Sequence, residues 1–178
     1  QRILADVNNN LNELGKSTIN DLTKFKGIGE AKAITIIAAM ELGRRRRVGE
    51  VMERKQISSS KTVFDFFQPI IGELPHEEFW ILYLNNSNKI IKSERLSKGG
   101  ITGTLVDVRL VYKEALQTGA TAIILAHNHP SGTLKPSQPD IQLTKKLKAA
   151  GENLDIKVLD HLIVTEKAYF SFADENLL

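Results

Sequence analysis

The chain has 178 residues, 42% of them hydrophobic and 25% charged, with a net charge of +3 and no cysteine. That length suits one good domain plus a small one, and the missing thiols exclude zinc fingers, cysteine nucleophiles and cysteine-held zinc, so any metal must be held by histidine and carboxylate. No apolar run approaches a membrane span and no signal peptide opens the sequence, which reads as a cytoplasmic protein with no membrane partner.

The positive charge sits at the front: residues 1–55 hold 11 Lys/Arg against 7 Asp/Glu, and residues 56–178 hold 13 against 14. Nucleic-acid contact, if any, is expected there. Gln1 is not an initiator methionine, and the opening reads as a domain truncated at its N-terminus.

Ile3, Leu4, Val7, Leu11 and Leu14 have helical spacing, so residues 1–13 are expected as helix. Ser17 or Asn20 is placed to cap a short helix ending near Phe25. Gly27-Ile28-Gly29 then makes a turn, and a second helix follows with Ile34, Ile37, Ala38 and Leu42 along it. Two glycines permit positive φ and close approach of another backbone, and the start of the second helix offers free N–H groups to a phosphate. This pattern resembles a helix-hairpin-helix element, and the resemblance implies contact with DNA phosphates through Gly27, Ile28, Gly29 and Lys32. The plainer reading, a helical hairpin whose glycines only make the turn, stands beside it. Arg44 to Arg47 is expected at the C-terminus of that helix, where cations complement the dipole, with a phosphate contact as the alternative.

The polar stretch from Glu53 to Ser60 is read as the boundary between a small all-α region, residues 1–55, and a larger domain, residues 56–178. A helix from Lys61 to Ile71 is expected, capped by Ser60. Glu78 to Leu84 reads as a strongly apolar strand, Asn85 to Asn88 as a turn, and Lys89 to Leu96 as the returning strand of a hairpin. Gly99, Gly100 and Gly103 indicate a flexible loop. Thr104 or Asp107 starts a helix through Gln117, with Val108, Leu110, Val111, Ala115 and Leu116 inward. Ala122 to Ala126, short and uncharged, is a buried strand. A helix from Gln138 to about Ala150 follows, with Ile141, Leu143, Leu147 and Ala150 on one side. Further strand is expected at Leu154–Leu159 and Leu162–Val164, then a short one from Tyr169 to Phe172. Helices alternating with strands and hairpins predict an α/β fold with a mixed sheet flanked by helices.

The chemistry concentrates between Ala126 and Asp140. His127 and His129 lie two residues apart at a strand end, and in extended chain such residues share a face. Pro130, Gly132, Pro136 and Pro139 keep the following loop irregular, and Asp140 falls in the first turn of the next helix. Two imidazoles and a carboxylate are a familiar zinc set with a fourth position left for water. Ser137-x-x-Asp140 is equally a capping box, which needs no metal, so on spacing alone both readings stay open.

His127-x-His129-x7-Ser137-x2-Asp140 resembles the signature of the JAMM/MPN metalloprotease superfamily. The wording His127-Asn128-His129-Pro130-Ser131-Gly132 resembles its bacterial RadC branch, and the likeness runs from about Leu22 to Ala173. The resemblance implies JAMM/MPN layering of the cytidine-deaminase kind. It also implies Zn2+ held by His127, His129 and Asp140, a peptide or isopeptide substrate cleaved by metal-activated water, and Ser137 as the oxyanion donor. A glutamate base is implied at the start of an upstream strand. Glu77 and Glu78 are the candidates, and the resemblance points to Glu78; the alternative is that both are solvated at the strand edge. Asn128 is expected to face away from the two histidines. Asp160-His161 is read as structural or supporting the site. Because the RadC branch takes its name from DNA repair, a non-enzymatic repair or recombination factor binding DNA through residues 1–55 is the main alternative. A metal-dependent nuclease ranks last, since phosphodiester hydrolysis tends to use more carboxylates. The sequence leaves the oligomeric state undetermined.

Overall fold

The computed structural model describes residues 2–52, 56–98 and 106–178. Gly99, Gly100 and Gly103 of the expected loop, Thr104 as a helix start, and the residues numbered 53–55 of the expected bridge lie outside the described residues, as does the side chain of Arg47. The chain divides into two compact units, Gln1–Glu50 and Val51–Leu178.

The first unit is all helical: α1 (Arg2–Asp6), α2 (Leu11–Gly15), α3 (Ile19–Thr23) and α4 (Glu30–Met52). The single helix expected over residues 1–13 is broken, because Asn8 and Asn9 take φ of 52° and 57°. Asparagine is one of the few residues that visits this left-handed region readily. Asn10 then caps α2. The cap of α3 is Thr18, in a capping box with Asp21, and neither Ser17 nor Asn20. Leu14, Leu22 and Ala33 form a small core with Ile3, Val7, Ile28, Ile36, Ile37 and Met40 around it. Ile34 and Leu42, taken as part of the apolar pattern of α4, are 48% and 67% exposed. Arg44 to Arg47 lies inside α4 rather than at its end, and Glu41 binds Arg44 Nε at 2.7 Å and Arg45 Nε at 2.8 Å. Good helix formers paired at i,i+3 and i,i+4 carry the helix past the point where a basic run suggested a stop.

The second unit contains α5 (Ser60–Ile71), β1 (Glu78–Leu84), β2 (Ile90–Lys98), α6 (Val108–Thr118), β3 (Ala122–Asn128), α7 (Gln138–Glu152), β4 (Lys157–Val164) and β5 (Tyr169–Ser171). Ser59, not Ser60, caps α5, and Asp107 caps α6. The sheet order is β2-β1-β3-β4-β5; β3 and β4 are parallel and the other pairs antiparallel. Parallel neighbours need a crossover, and α7 supplies it. The fold is therefore α/β with a mixed sheet flanked by helices, as expected.

Alternation along β1 separates the faces. Phe79, Ile81 and Tyr83, with Ile123 and Leu125 of β3, meet Val111, Tyr112 and Ala115 of α6 and Leu147 of α7. Trp80 points the other way, to Phe67 of α5, with ring centroids 6.4 Å apart. Leu110 and Leu116, expected inward, are 57% and 60% exposed, because the buried stripe of α6 runs through Val111, Tyr112 and Ala115. The buried face of α7 centres on Thr144, Leu147 and Gly151. The two apolar runs expected after α7 form one continuous strand, β4. Its register slips opposite Ile123 and Ile124, which pair with Val158 and Asp160, leaving Leu159 as an extra residue. Among the described residues, no helix is long and apolar enough to cross a membrane.

Candidate metal centre

The strand β3 runs two residues beyond its apolar stretch and ends at Asn128. His127 is therefore held in the ladder, opposite Phe79 of β1, and their rings are nearly parallel at 6.0 Å. His129 follows the strand; its N–H donates to Val164 O at 3.0 Å, which keeps the backbone extended. His127 and His129 thus emerge on one face, as the spacing predicts, with Nε2 atoms 3.0 Å apart. Gly132, with φ of 77°, turns the chain back towards α7, its N–H bonded to His129 O at 2.9 Å.

Asp140 enters from the first turn of α7. Its Oδ2 accepts from Ser137 N at 2.7 Å and Ser137 Oγ at 2.6 Å, and its own N–H donates to Ser137 Oγ at 3.2 Å. The capping box is complete, and it leaves Oδ1 turned to His127 Nε2 at 3.4 Å. Cap and ligand set are thus one arrangement, in which the cap aims the carboxylate. Burial alone would raise the Asp140 carboxyl. The two bonds from Ser137, which favour the ionised carboxylate, oppose it.

The donor atoms of His127, His129 and Asp140 all lie within 4.8 Å of one another. Zinc–ligand bonds of about 2.0–2.1 Å in a tetrahedron put neighbouring donors roughly 3.3 Å apart. The observed 3.0 and 3.4 Å separations bracket that edge. The Nδ1 atom of His129 lies 2.7 Å from Thr133 O. A carbonyl can only accept, so Nδ1 carries the ring proton and Nε2 turns a lone pair towards His127. Two ring nitrogens and a carboxylate oxygen converging in this way fit a divalent cation.

The two candidate glutamates are placed differently. Glu78 is 4% exposed, and its carboxylate lies against Trp80, whose ring meets Phe67 of α5. Its Oε2 accepts from Trp80 Nε1 at 2.9 Å; its Oε1 accepts from Arg95 at 3.0 Å and lies 3.1 Å from His76 Nε2. Burial pushes its carboxyl up, but the Trp80, His76 and Arg95 contacts outweigh it and leave it below its ordinary value. Arg95 reaches this face because β2 bulges beside Phe79, whose partner is Ser97 while Trp80 pairs with Arg95. Glu78 is therefore not brought together with the trio. Glu77 is half-buried, and its carboxylate makes no hydrogen bond or ion pair among the described residues. Continuing the Phe79–His127 register by two residues sets Glu77 opposite His129.

Asn128 does face away from the histidines, and it has a task there. Its Oδ1 accepts from Glu78 N at 2.8 Å and its Nδ2 donates to His76 O at 2.9 Å, clamping the backbone on both sides of Glu77. The Asp160-His161 pair divides its work. Asp160 ties the chain end, accepting from Ser171 Oγ at 2.6 Å and Ala173 N at 3.0 Å. His161 is fully buried and contacts His127, ring nitrogen to ring nitrogen, at 2.8 Å. Burial holds the His161 ring well below its usual imidazole value.

Thr144, which touches His161 at 2.6 Å, was hidden from an apolar-periodicity reading by being polar. In the helical unit, Gly27 takes φ of 91°, and Lys32 Nζ donates back to Gly27 O at 3.0 Å. Ile28 packs into the small core, with its N–H bonded to Phe25 O at 3.0 Å.

Residues 57–177 match the RadC-like JAB domain. The chain is 63% identical over 177 residues to a UPF0758 protein of Flavobacterium johnsoniae, covering 99% of this chain and 77% of the relative. It is 49% identical over 180 residues to a UPF0758 protein of Porphyromonas gingivalis, covering 100% and 79%. A UPF0758 protein of Staphylococcus aureus is 44% identical over 172 residues, 94% of this chain and 79% of the relative. The chain therefore belongs to the RadC family of JAB-domain proteins.

Proposed function

We propose that the protein is a zinc-dependent hydrolase that cleaves an amide or isopeptide bond. The observation that carries this reading is the convergence of His127 Nε2, His129 Nε2 and Asp140 Oδ1 on one point. Two imidazoles and one carboxylate suit zinc and leave a position for water. When bound, zinc supplies Lewis acidity, lowering the pKa of a water molecule and polarising a scissile carbonyl.

The protein's own groups do the rest. The base we assign is Glu77, not Glu78. Glu78 is held by Trp80, Arg95 and His76 on the α5 side of the sheet, while Glu77, whose carboxylate has no partner among the described residues, falls opposite His129 when the β1–β3 register is continued past the strand. Glu77 takes a proton from the attacking water and returns it to the departing amine nitrogen. A C–O bond forms, the C–N bond breaks and the carboxylate ends as it began. The single hydroxyl hydrogen of Ser137 is committed to Asp140 Oδ2, so Ser137 serves by orienting that carboxylate rather than as the oxyanion donor.

The test is elemental analysis of the purified chain together with hydrolysis of an isopeptide-linked fluorogenic peptide. About one zinc per chain, with both metal and cleavage lost in His127→Ala, is the expected result. A chain that binds no divalent metal, or a His127→Ala variant that cleaves as well as the parent, overturns the reading.

A DNA contact through the helical unit is a second proposal, compatible with the first. Gly29 has no positive φ and nothing within 4 Å of where a Cβ would stand, so packing does not demand glycine there. A bare backbone at the start of α4 supports close approach by a phosphate.

A further inference from the structure

We propose that Thr144 and His161 are positioning residues, which fix the tautomer of His127 through a chain of three hydrogen bonds anchored on the backbone carbonyl of Asp140. The inference rests on the metal-site reading above, and it concerns how one ligand ring is kept ready.

The direction of each bond follows from what each atom can do. Thr144 Oγ1 lies 2.7 Å from Asp140 O, one helical turn earlier. A carbonyl only accepts, so the single hydroxyl hydrogen of Thr144 goes there. The same Oγ1 lies 2.6 Å from His161 Nδ1. With its hydrogen already used, Oγ1 must accept, and His161 Nδ1 must carry the ring proton. His161 is fully buried, lying against Phe79 at 5.5 Å and stacked on Phe172 at 4.7 Å. Asp160, its neighbour in sequence, spends its oxygens on His161 N, Ala173 N and Ser171 Oγ. A buried imidazole with no carboxylate against its ring stays neutral. With the proton on Nδ1, its Nε2 can only accept.

The acceptor His161 Nε2 lies 2.8 Å from His127 Nδ1. His127 must therefore be protonated at Nδ1, which strips Nε2 of hydrogen and presents its lone pair towards His129 and Asp140 Oδ1. Ligating histidines are commonly oriented by a carboxylate or carbonyl on the other ring nitrogen. His129 follows that pattern directly, with Thr133 O as the acceptor. For His127, a neutral ring relayed through a threonine takes the carbonyl's place. The relay starts at the residue whose carboxylate is the third ligand, so one turn of α7 sets both the Asp140 side chain and the His127 tautomer.

The fold makes this possible through the slip in β4. With Leu159 as the extra residue, His161 pairs with Leu125 and shares its face, the face of His127. Without that extra residue, alternation would turn His161 to the α5 side.

The test uses the full chain, metal-free and labelled with 15N in its histidines, at alkaline pH where ordinary imidazoles are neutral. Long-range 1H–15N correlation reads each ring's tautomer. The expected spectrum has His127 and His161 both protonated at Nδ1. In Thr144→Val the fixed pattern is lost at these two rings and kept at His129, and zinc affinity, from competition with a chromophoric chelator, falls about 10–100-fold. Thr144→Ser restores both. His127 protonated at Nε2 in the parent protein overturns the relay. So does a folded Thr144→Val variant with unchanged tautomers and unchanged zinc affinity. Should Thr144→Val fail to fold, the parent spectrum still decides. The spectrum needs no metal, so a parent chain that shows the expected tautomers yet binds no zinc would sink the hydrolase reading and leave the relay standing.

Discussion

The ring of Phe79 lies nearly parallel to that of His127, with centroids 6.0 Å apart and planes 10° apart. That contact marks the face of β1 that looks towards the candidate metal ligands, and continuing the alternation to the residue before the strand sets Glu77 on that face, with Glu78 on the opposite one. Glu77→Gln is therefore expected to lower cleavage by about 10²–10⁴-fold, the usual worth of a general base, with zinc content unchanged. Glu78→Gln should leave the chemical step far less affected. Steady-state rates on the isopeptide substrate, beside metal analysis, check both. Loss of cleavage in Glu78→Gln with full activity in Glu77→Gln would reverse the assignment.

Glu78 carries a stability prediction instead. Its carboxylate gathers Trp80, Arg95 and His76, so Glu78→Gln leaves these partners poorly satisfied, at a cost of about 1–3 kcal/mol. The cost should depend on pH. The folded-state carboxyl is held below its ordinary value. Its contribution is then complete above the unfolded glutamate value of about 4.3 and fades as pH falls through the folded one. Thermal melts of parent and variant should differ at neutral pH and converge in acid. A gap that stays constant down to strongly acid pH would show that the carboxylate charge is not the source.

Asn128→Leu keeps the side chain's size and removes the clamp on the β1 entry. The His76 carbonyl and the Glu78 N–H both lose their partner, so the variant should be about 1–3 kcal/mol less stable. With Glu77 less firmly held, kcat should fall more than zinc affinity. Chelator competition and kinetics on the same preparation separate the two. A variant that loses zinc and keeps its turnover per bound metal would place Asn128 in support of the histidines instead.

Much of the site is legible in the sequence. The strand–loop–helix order placed His127, His129 and Asp140 together because i,i+2 alternation and a helix first turn are local geometry. What stayed hidden is non-local. Glu77 and Glu78 are indistinguishable until the pairing of β1 with β3 is known. Thr144 is one polar residue on an apolar face, and only the ring of His161 explains its place. The single-residue slip at Leu159 has no signature in sequence, yet it decides which face His161 serves. The front segment misled for a different reason. Asn8 and Asn9 break a well-spaced helix by adopting left-handed backbone, which apolar spacing does not register.

The DNA proposal yields a prediction in which stability and binding move apart. Gly29 stands where its carbonyl accepts the first intrahelical bond of α4, from Ala33 N at 3.0 Å, so it occupies the cap position. Asparagine caps helices at least as well as glycine, and the space around Gly29 is open. Gly29→Asn should therefore hold or raise the melting temperature. If a phosphate comes against the bare backbone, the added side chain obstructs it. Binding of a fluorescent DNA duplex, followed by anisotropy at low salt, should weaken in the variant, and binding by the parent should fall steeply as salt is raised. Equal affinities in parent and variant, or parent binding indifferent to salt, would return Gly27-Ile28-Gly29 to the plainer role of a turn between two helices.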